Sequence, residues 1–411
     1  MPEPIQVFEH DVLRVGEQGL TARHFDALVK FNQRHGDRFF TVRYQSLRFG
    51  SYVGVLQVGK LTIEVLPKAD RSVGDKTLWR DALIEMLRCC GHLRARLPTW
   101  ADLHLQRTPL LNLYLEAFLF EVDSLIRQGL VKRYRREHGN LPVLRGRLAL
   151  SEHVRRNIVH KERFYTDHDR YDRDNDFNQI LKAAVSITAT AATTAFLRSR
   201  ARFIADSFEQ VSTGPVSESH FSRLRYDRKT ERYRRAISLA RLIILNYQPD
   251  AQAGGQNVLA ILCDMNTLFE EYIYNKLRAA ASRKTGVHVR GQRSHLFWCG
   301  GSARRSIRPD IEVRIDGHDN PLVIDTKWKV PSGPSPSDSD LKQMFAYNAR
   351  LRSQRSFLLY PRTDDRENVD GQFFEDDRAQ SSECSMLFVD LFRGCTLNRN
   401  LGDLILDRVL D

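Results

Sequence analysis

The order of periodic segments in the last part of the chain narrows its possible folds more than any other property of the sequence. Hydrophobic spacing predicts these elements in order: a helix over 258–282, strands over 287–299, 308–315 and 321–328, a helix over 339–352, and the strand SFLLYPR. A helix, a three-strand meander, a helix and a strand make up one α/β unit. The C-terminal part is therefore predicted to hold a mixed sheet with helices beside it.

The rest of the chain divides by its change in hydrophobic period. With 411 residues the chain is too long for one compact core. Residues 38–67 alternate apolar and polar positions, with a hairpin turn predicted at Gly59-Lys60. Helical spacing then follows, with one helix predicted over 109–136 and another over 174–204. The predicted fold class is α+β and multidomain: a β-rich N-terminal domain over 1–72, a mainly helical middle domain over 73–250 that ends in the boundary segment QPDAQAGGQN, and an α/β domain over 251–411.

Composition and charge limit the partners and the compartment. The net charge of +12 suits a polyanionic partner such as nucleic acid, although a basic protein without such a partner would carry the same charge. No apolar run is long enough for a transmembrane helix, and the first residues lack the pattern of a signal peptide. The six cysteines form no C-x-x-C pair, so we expect reduced thiols in a cytoplasmic protein rather than zinc ligands or disulfides.

Charged side chains stand at the ends of the two strands RPDIEVRI and PLVIDTKW. If these strands pair as a hairpin, the start of the first lies beside the end of the second, and Asp310 meets Asp325 at one edge. Lys327 follows Asp325 by two positions and points to the same face. Two interpretations are open: a solvated hairpin with an ordinary ion pair, or half of a Mg²⁺ site in which two carboxylates flank a cation. The apolar run before Asp325 indicates a buried strand, which favours the metal site.

The helices on either side of this hairpin offer further polar groups. Glu270 and Glu271 lie in the preceding helix, and one of them is expected to face the site, with Glu270 preferred. Gln343 and Tyr347 are four residues apart in the following helix and so share a face, where they either pack against the sheet or contact the site or DNA. Two acids and a lysine around Mg²⁺ are a minimal set for phosphodiester hydrolysis, because the metal polarises the phosphate and the lysine orients water or offsets charge.

These residues in this order resemble the PD-(D/E)xK nuclease superfamily, with Pro309-Asp310 and Asp325-Thr326-Lys327 as its two core elements. From about residue 45 to 362 the chain is also similar to the McrC family, the nuclease subunits of McrBC restriction systems. The segments that carry this similarity are LPVLRGRLALSEHV, DRDNDFNQILKAAV, LFEEYIYNKL, RPDI, VIDTKWK, QMFAYN and LLYPR. The resemblance implies that the C-terminal domain is restriction-endonuclease-like.

The resemblance further implies a Mg²⁺-dependent DNA endonuclease, with Mn²⁺ as a substitute cation. Asp310, Asp325 and Glu270 would be catalytic residues that hold the metal, and Lys327 would position the attacking water. The implied partners are double-stranded DNA, methylated or otherwise modified, and a McrB-type AAA+ GTPase hexamer that activates cleavage. In that family the chain would be a candidate to stimulate the partner's GTP hydrolysis, and the N-terminal parts would dock on the partner. No membrane partner is expected.

Other interpretations stay open at this point. The chain could be a non-cleaving adaptor that docks on an AAA+ ring and stimulates its NTPase, or a stand-alone repair-type nuclease. Arg145 and Arg147 lie in a basic stretch and either contact DNA or the partner subunit, or flank a solvated turn in which Gly146 takes a positive φ. No phosphate-binding loop with a Lys-Ser or Lys-Thr ending occurs, so the chain is not expected to bind GTP alone.

Overall fold

The structure, a computed structural model, describes residues 3–69, 75–93, 108–249, 256–331, 333–363, 365–374 and 382–411. Residues 250–255 of the predicted boundary segment lie outside the described residues. Contacts within the chain group it into two units. Unit 1 comprises Met1–Leu56, Leu61–Leu110 and Leu262–Asp411, and unit 2 comprises Gln57–Lys60 and Leu111–Ile261. Unit 1 thus combines most of the predicted N-terminal domain with most of the predicted C-terminal domain. The division of the chain into three domains remains a prediction.

The fold is mixed α+β with several sheets, as the sequence predicts. The strands of the described residues are β1 (Ile5–Phe8), β2 (Val12–Arg14), β3 (Phe40–Arg43), β4 (Ser46–Phe49), β5 (Tyr52–Val58), β6 (Leu61–Leu66), β7 (Arg133–Leu141), β8 (Arg147–Leu148), β9 (Phe164–Asp172), β10 (Tyr247–Gln248), β11 (Val258–Asp264), β12 (Val287–Gly291), β13 (His295–Gly300), β14 (Ala303–Ile307), β15 (Ile311–Ile315), β16 (Leu322–Thr326), β17 (Arg355–Pro361), β18 (Glu383–Val389), β19 (Phe392–Arg393) and β20 (Thr396–Leu397). The α-helices are α1 (Ala22–Arg34), α2 (Lys76–Cys89), α3 (Leu110–Arg127), α4 (Leu150–Asn157), α5 (Asp176–Ala191), α6 (Ala195–Asp206), α7 (Glu218–Arg223), α8 (Arg234–Leu245), α9 (Met265–Ala281), α10 (Asp338–Leu351) and α11 (Leu401–Leu410).

The first sheet of unit 1 places β6 between β1 and β5, with β1 parallel to β6. Gly59, at φ of +57°, lies in the predicted turn between β5 and β6. Every residue of β6 is buried, so its acid, Glu64, needs partners inside the protein. Arg80 of α2 donates to Glu64 at 2.9 Å, and the backbone N–H of Leu110 donates to it at 2.7 Å. Helix α1 and a separate sheet with the strand order β2-β4-β3 complete this N-terminal part.

The second large sheet of unit 1 has the strand order β12-β15-β16-β17-β18. β15 is antiparallel to β12 and β16, whereas β16, β17 and β18 run parallel. Helix α10 forms the crossover between β16 and β17. Its apolar face packs on the sheet through Met344 and Tyr347, which join Val323, Leu358 and Met386 in one buried cluster. This is the mixed sheet predicted for the C-terminal part.

Several predicted bounds are wrong. Residues 258–264 form β11 rather than helix, and α9 begins only after Asp264, whose carboxylate accepts the Thr267 N–H at 3.0 Å as its N-cap. The helix predicted over 109–136 ends at Arg127, and the residues after Lys132 form β7. The helix predicted over 174–204 is two helices, α5 and α6.

Unit 2 packs α3, α5, α6 and α8 beside a small sheet with the strand order β7-β9-β8. Asn175 is the N-cap of α5 and accepts the N–H of Asn178. The Asn178 side chain is buried and donates to Val131 O at 3.0 Å and Arg173 O at 2.7 Å. It therefore ties the start of α5 to the chain before β7. Among the described residues, no helix is both long enough and apolar enough to cross a membrane.

Candidate functional site

The β15–β16 hairpin brings the two acids singled out in the sequence together. Its antiparallel register pairs Ile311 with Ile324, so Asp310 and Asp325 stand opposite each other one position further out. Asp325 is the fourth residue of β16 and is 1% exposed, and Asp310 directly precedes β15. Two carboxylates therefore meet at a buried edge of the sheet, as expected for the strand geometry.

Each carboxylate is held by a different kind of partner. One oxygen of Asp310 accepts two hydrogen bonds from Thr326, from its backbone N–H at 2.8 Å and its hydroxyl at 3.0 Å. Asp325 Oδ2 lies 2.6 Å from Lys327 Nζ, and Asp325 Oδ1 accepts from Gln343 Nε2 at 3.1 Å. The hairpin thus fixes Asp310 through a backbone donor, whereas Asp325 depends on side chains from the end of β16 and from α10.

Burial shifts the pKa values of both acids upward. Burial raises the pKa of Asp325 to about 7, with a further contribution from the charge of Asp310, against the opposing effect of Lys327. Burial also raises the pKa of Asp310, although both hydrogen bonds from Thr326 oppose it. Such a pair favours either a shared proton or a nearby cation.

Lys327 keeps its positive charge in this setting. Burial alone would lower the pKa of Lys327, but the negative charges of Asp325, Asp340 and Asp310 outweigh it and raise the pKa. Its Nζ also donates to Gln343 Oε1 at 3.0 Å and lies 3.4 Å from Asp340 Oδ1. A protonated amine is therefore held beside the two carboxylates.

Gln343 and Tyr347 of α10 share a face, as their spacing predicts. Gln343 Nε2 donates to Tyr347 Oη at 2.7 Å, and Tyr347 Oη donates to Arg308 O at 3.2 Å. Gln343 contacts both Asp325 and Lys327 directly. Tyr347 is 5% exposed and packs in the core beneath α10, so it supports the site from behind.

The two glutamates of α9 face different surroundings. Glu270 accepts a hydrogen bond from the Gln292 side chain, and its pKa is raised by burial and by the charge of Asp310. Glu271 lies 3.0 Å from His92 Nε2 instead. Glu270 is therefore the glutamate near the pair of aspartates. No sequence pattern pointed to Gln292, whose backbone N–H donates to Asp310 O at 2.9 Å and whose φ is +56°.

The donor set fits a hard divalent cation, although it does not form a closed cage. In the part of the chain that the structure describes, no three His, Cys, Asp or Glu side chains lie close enough together to hold a metal ion. Asp310 and Asp325 alone offer two neighbouring carboxylates, and Mg²⁺ commonly takes one or two carboxylates with water or substrate oxygens as its other ligands.

Sequence reasoning missed the support behind Lys327. The next residue, Trp328, donates from its indole Nε1 to Glu9 Oε1 at 2.7 Å, and the backbone N–H of Lys68 donates to the same oxygen at 2.9 Å. The Trp328 ring also packs edge-on against Trp79, with ring centroids 6.3 Å apart. Burial raises the pKa of Glu9 to about 7. The N-terminal sheet of unit 1 thus holds the segment that carries the lysine.

Arg145 and Arg147 belong to unit 2 and are exposed. Arg145 donates to Asp169 O at 3.2 Å, and Arg147 pairs with Asp167 across β8 and β9. Gly146 between them has φ of +74°, and a Cβ there would come within 2.4 Å of Asp167 O. The turn with a positive φ is present, and both guanidinium groups are accessible for a contact.

Comparison with known proteins gives consistent results. Residues 47–361 match a family described as McrBC 5-methylcytosine restriction system component. The chain is 22% identical over 213 residues to the type IV methyl-directed restriction enzyme EcoKMcrBC of Escherichia coli strain K12, which aligns 50% of this chain with 61% of that protein. The alignment thus spans about three fifths of the length of this curated relative.

Two solved structures share the fold. One is a half-complex from a tetradecameric assembly of Thermococcus gammatolerans McrB AAA+ hexamers with bound McrC, where a chain matches with a TM-score of 0.68 and 20% identity over 99% of this chain and 100% of that one. The other is the cryo-EM structure of the Thermococcus gammatolerans McrBC complex, with a TM-score of 0.51 and 22% identity over 68% of this chain and 88% of that one.

Proposed function

The chain belongs to the McrC family of McrBC restriction-system components, and from this membership we propose that it is the DNA endonuclease subunit of a modification-dependent restriction system. The observation that carries the proposal is the pairing of Asp310 with Asp325 at one sheet edge, with Lys327 held beside them. The domain that carries them is proposed to be restriction-endonuclease-like and to follow the PD-(D/E)xK pattern.

The proposed reaction is hydrolysis of a phosphodiester bond in double-stranded DNA. Asp310 and Asp325 would hold Mg²⁺, or Mn²⁺ in its place, and the bound cation would polarise the scissile phosphate. Glu270 is proposed as an additional ligand from the family resemblance, since in this structure it does not lie close enough to both aspartates to share an ion with them. Lys327, protonated in its acidic surroundings, would orient the attacking water and offset the negative charge that develops on the phosphate. Gln343 would keep the Lys327 amine in place while Asp325 binds the cation.

The proposed partner is a McrB-type AAA+ GTPase hexamer. Two observations support it: the family match, and the likeness of fold to chains from McrB-containing complexes. The partner would recognise methylated or otherwise modified DNA, and its GTP hydrolysis, which this chain would stimulate, would activate cleavage. Arg145 and Arg147 on the exposed turn of unit 2 are candidates for contact with the partner or with DNA.

The decisive experiment combines the purified chain, a McrB-type partner, GTP, Mg²⁺ and methylated duplex DNA. The wild type is expected to cut, and Asp325→Ala is expected to cut more than about 100-fold more slowly, because metal-dependent stabilisation of the transition state contributes several kcal/mol. Asp316→Ala removes an exposed aspartate just after β15 and should cut like the wild type. Full activity of Asp325→Ala would remove the basis for the site assignment.

Two controls separate the alternatives. Calorimetry with Mn²⁺ tests whether the chain is a non-cleaving adaptor, since an adaptor that has lost its active site is expected to bind no cation. The wild type is expected to bind Mn²⁺, and Asp310→Asn is the control with one carboxylate removed. Omitting the partner tests the stand-alone nuclease, since cleavage by the isolated chain would show that no AAA+ subunit is required.

A further inference from the structure

Between β12 and the site, the chain leaves the second large sheet and forms a separate two-stranded hairpin from β13 and β14. We refer to residues 295–307 as the aromatic hairpin. Its paired residues run from His295 and Ile307 at the base to Gly300 and Ala303 at the tip. The hairpin ends three residues before Asp310, so it is inserted directly ahead of the first acid of the site.

The base of the aromatic hairpin is fixed to the site. His295 Nε2 lies 2.5 Å from Glu312 Oε1, on the strand that follows Asp310. Arg350 of α10 donates to Leu296 O at 2.7 Å, one turn of helix from Tyr347. The hairpin base is therefore bonded directly to β15 and α10, the elements that position the carboxylates and Gln343.

Three consecutive apolar residues of the aromatic hairpin face solvent. Leu296, Phe297 and Trp298 are 44%, 52% and 53% exposed. The register shifts at Phe297, so all three lie around a bulge. A Cβ on Gly300 would come within 2.4 Å of Trp298 Cη2, so the glycine makes room for the indole over the tip. Exposed apolar side chains that lie next to one another commonly mark a surface that contacts a partner.

The charge around this run favours one kind of partner. Residues 287–309 contain no Asp or Glu and five arginines: Arg290, Arg293, Arg304, Arg305 and Arg308. Arg305 pairs with Trp298 across the hairpin, and Arg304 pairs with Cys299. Both arginines are exposed. Arginines interleaved with exposed aromatic rings, without acids, match the phosphates and bases of nucleic acid rather than a protein surface.

We infer that the aromatic hairpin is the element with which this chain holds duplex DNA next to the bond that is cut. Arg304 and Arg305 bind backbone phosphates, and Trp298 contacts the sugar and base edges beside them. The inference rests on the proposed endonuclease function, and it adds how the substrate is held at that site. It also explains why the hairpin is tied to the strand that follows Asp310.

The test measures binding separately from cleavage. Each variant is made in the full chain carrying Asp325→Asn, so that the DNA remains intact, and anisotropy of a labelled duplex is recorded across a salt series. The double variant Arg304→Gln/Arg305→Gln is expected to bind at least about 10-fold more weakly, with a salt slope smaller by about 2, because two phosphate contacts are lost. Trp298→Ala is expected to weaken binding without a change in the salt slope.

A matched control removes the same charge elsewhere in unit 1. Arg43→Gln/Arg48→Gln alters two exposed arginines of β3 and β4 and is expected to bind DNA like the parent chain. Thermal melts of all variants check that the hairpin substitutions leave the fold intact.

The outcomes distinguish this inference from the proposed function. If the hairpin variants bind duplex DNA as tightly as the parent while the chain with Asp325 intact cleaves, the inference is wrong and the endonuclease stands. If the hairpin variants lose binding but the wild type never cleaves with partner, GTP and Mg²⁺, the endonuclease function is wrong, and the hairpin stands as a duplex-binding element without a cleavage site. Unchanged DNA affinity together with loss of the AAA+ partner in gel filtration would make the hairpin a protein-docking element and overturn the inference.

Discussion

Asp325 is buried and lies beside both another acid, Asp310, and a lysine, Lys327. Burial raises its pKa to about 7, with help from Asp310, so near neutral pH a substantial fraction of the carboxyl carries a proton. On the proposed function a divalent cation would bind the ionised form, so cation binding would be coupled to release of that proton.

We expect the affinity for Mn²⁺ to increase as the pH rises from about 6 to about 8 and to level off above that range. Calorimetry at pH 6.5 in two buffers with different ionisation enthalpies should show proton release on binding. Asp325→Asn should abolish the buffer dependence, and Asp316→Asn should retain it. An affinity that does not change with pH would contradict the raised pKa of Asp325.

Glu9 accepts a hydrogen bond from Trp328, the residue after Lys327, and its protonation is expected to make the stability of the fold depend on pH. Burial raises the pKa of Glu9 from 4.5 to about 7, so the folded chain holds this proton more tightly than the unfolded chain does. The stabilisation is complete below pH 4.5 and is lost as the pH rises through 7. Between pH 5 and 8 the wild type is expected to lose up to about 3 kcal/mol more stability than Glu9→Gln.

Urea unfolding at several pH values measures this difference. Glu17→Gln, an exposed glutamate of the same unit, should follow the wild type at every pH. If the free energy of unfolding changed with pH equally in Glu9→Gln and the wild type, Glu9 would have the same pKa in the folded and unfolded chain, and the prediction would be wrong.

At the level of single elements, α10 connects the sheet to the site through Gln343 and ends in an unusual conformation. Its C-cap, Arg352, has φ of 55° and ψ of 32°, a left-handed conformation that favours glycine. Arg352→Gly is expected to stabilise the protein by about 0.5–1 kcal/mol, because it relieves this strain. Ala349→Gly, an exposed position within the same helix, should destabilise by about 1 kcal/mol. Thermal unfolding of both variants measures the contrast, and a loss of stability in Arg352→Gly would contradict it.

Local patterns predicted the elements that carry the site. Two short apolar runs, one after Asp310 and one before Asp325, predicted the hairpin and its edge, and the spacing of 339–352 predicted α10 to within one residue at each end. Local patterns failed for β11, because a short apolar run suits a helix or a buried strand equally well. They failed for β7 because this strand, RYRREHGNL, is charged or polar at most positions and lacks the alternation of apolar residues that predicts a strand.

The contacts that sequence reasoning could not find join distant parts of the chain. Glu9 and Trp328 are 319 positions apart, and neither residue has a local pattern that points to the other. Gln292 is similar, because its role depends on a positive φ and on the peptide of Asp310. Such pairs are set by how sheets and helices pack, and a single sequence carries no signal for them.

At the scale of the whole molecule, unit 1 is built from both ends of the sequence. We expect the fragment 251–411 not to fold stably alone, because it lacks Glu9 and Trp79, which contact Trp328. Without them Trp328 and the adjacent ring of Phe269, 5.1 Å away, lose part of their packing. Near-UV circular dichroism should show a fixed aromatic environment only when the fragment is co-expressed with residues 1–110. A cooperative melt of the fragment alone, at the temperature of the full chain, would contradict this expectation.

The contact of Glu9 with Trp328 also has a consequence for synthesis on the ribosome. About 150 residues of unit 2 separate the two parts of unit 1 in the sequence. At roughly 5–20 residues per second, their synthesis delays the meeting of these parts by about 8–30 s. The segment that carries Lys327 reaches its support only after this interval. A translation product that stops before residue 325 lacks both Asp325 and Lys327, so on the proposed function an unfinished copy could not cleave the DNA of the cell that makes it.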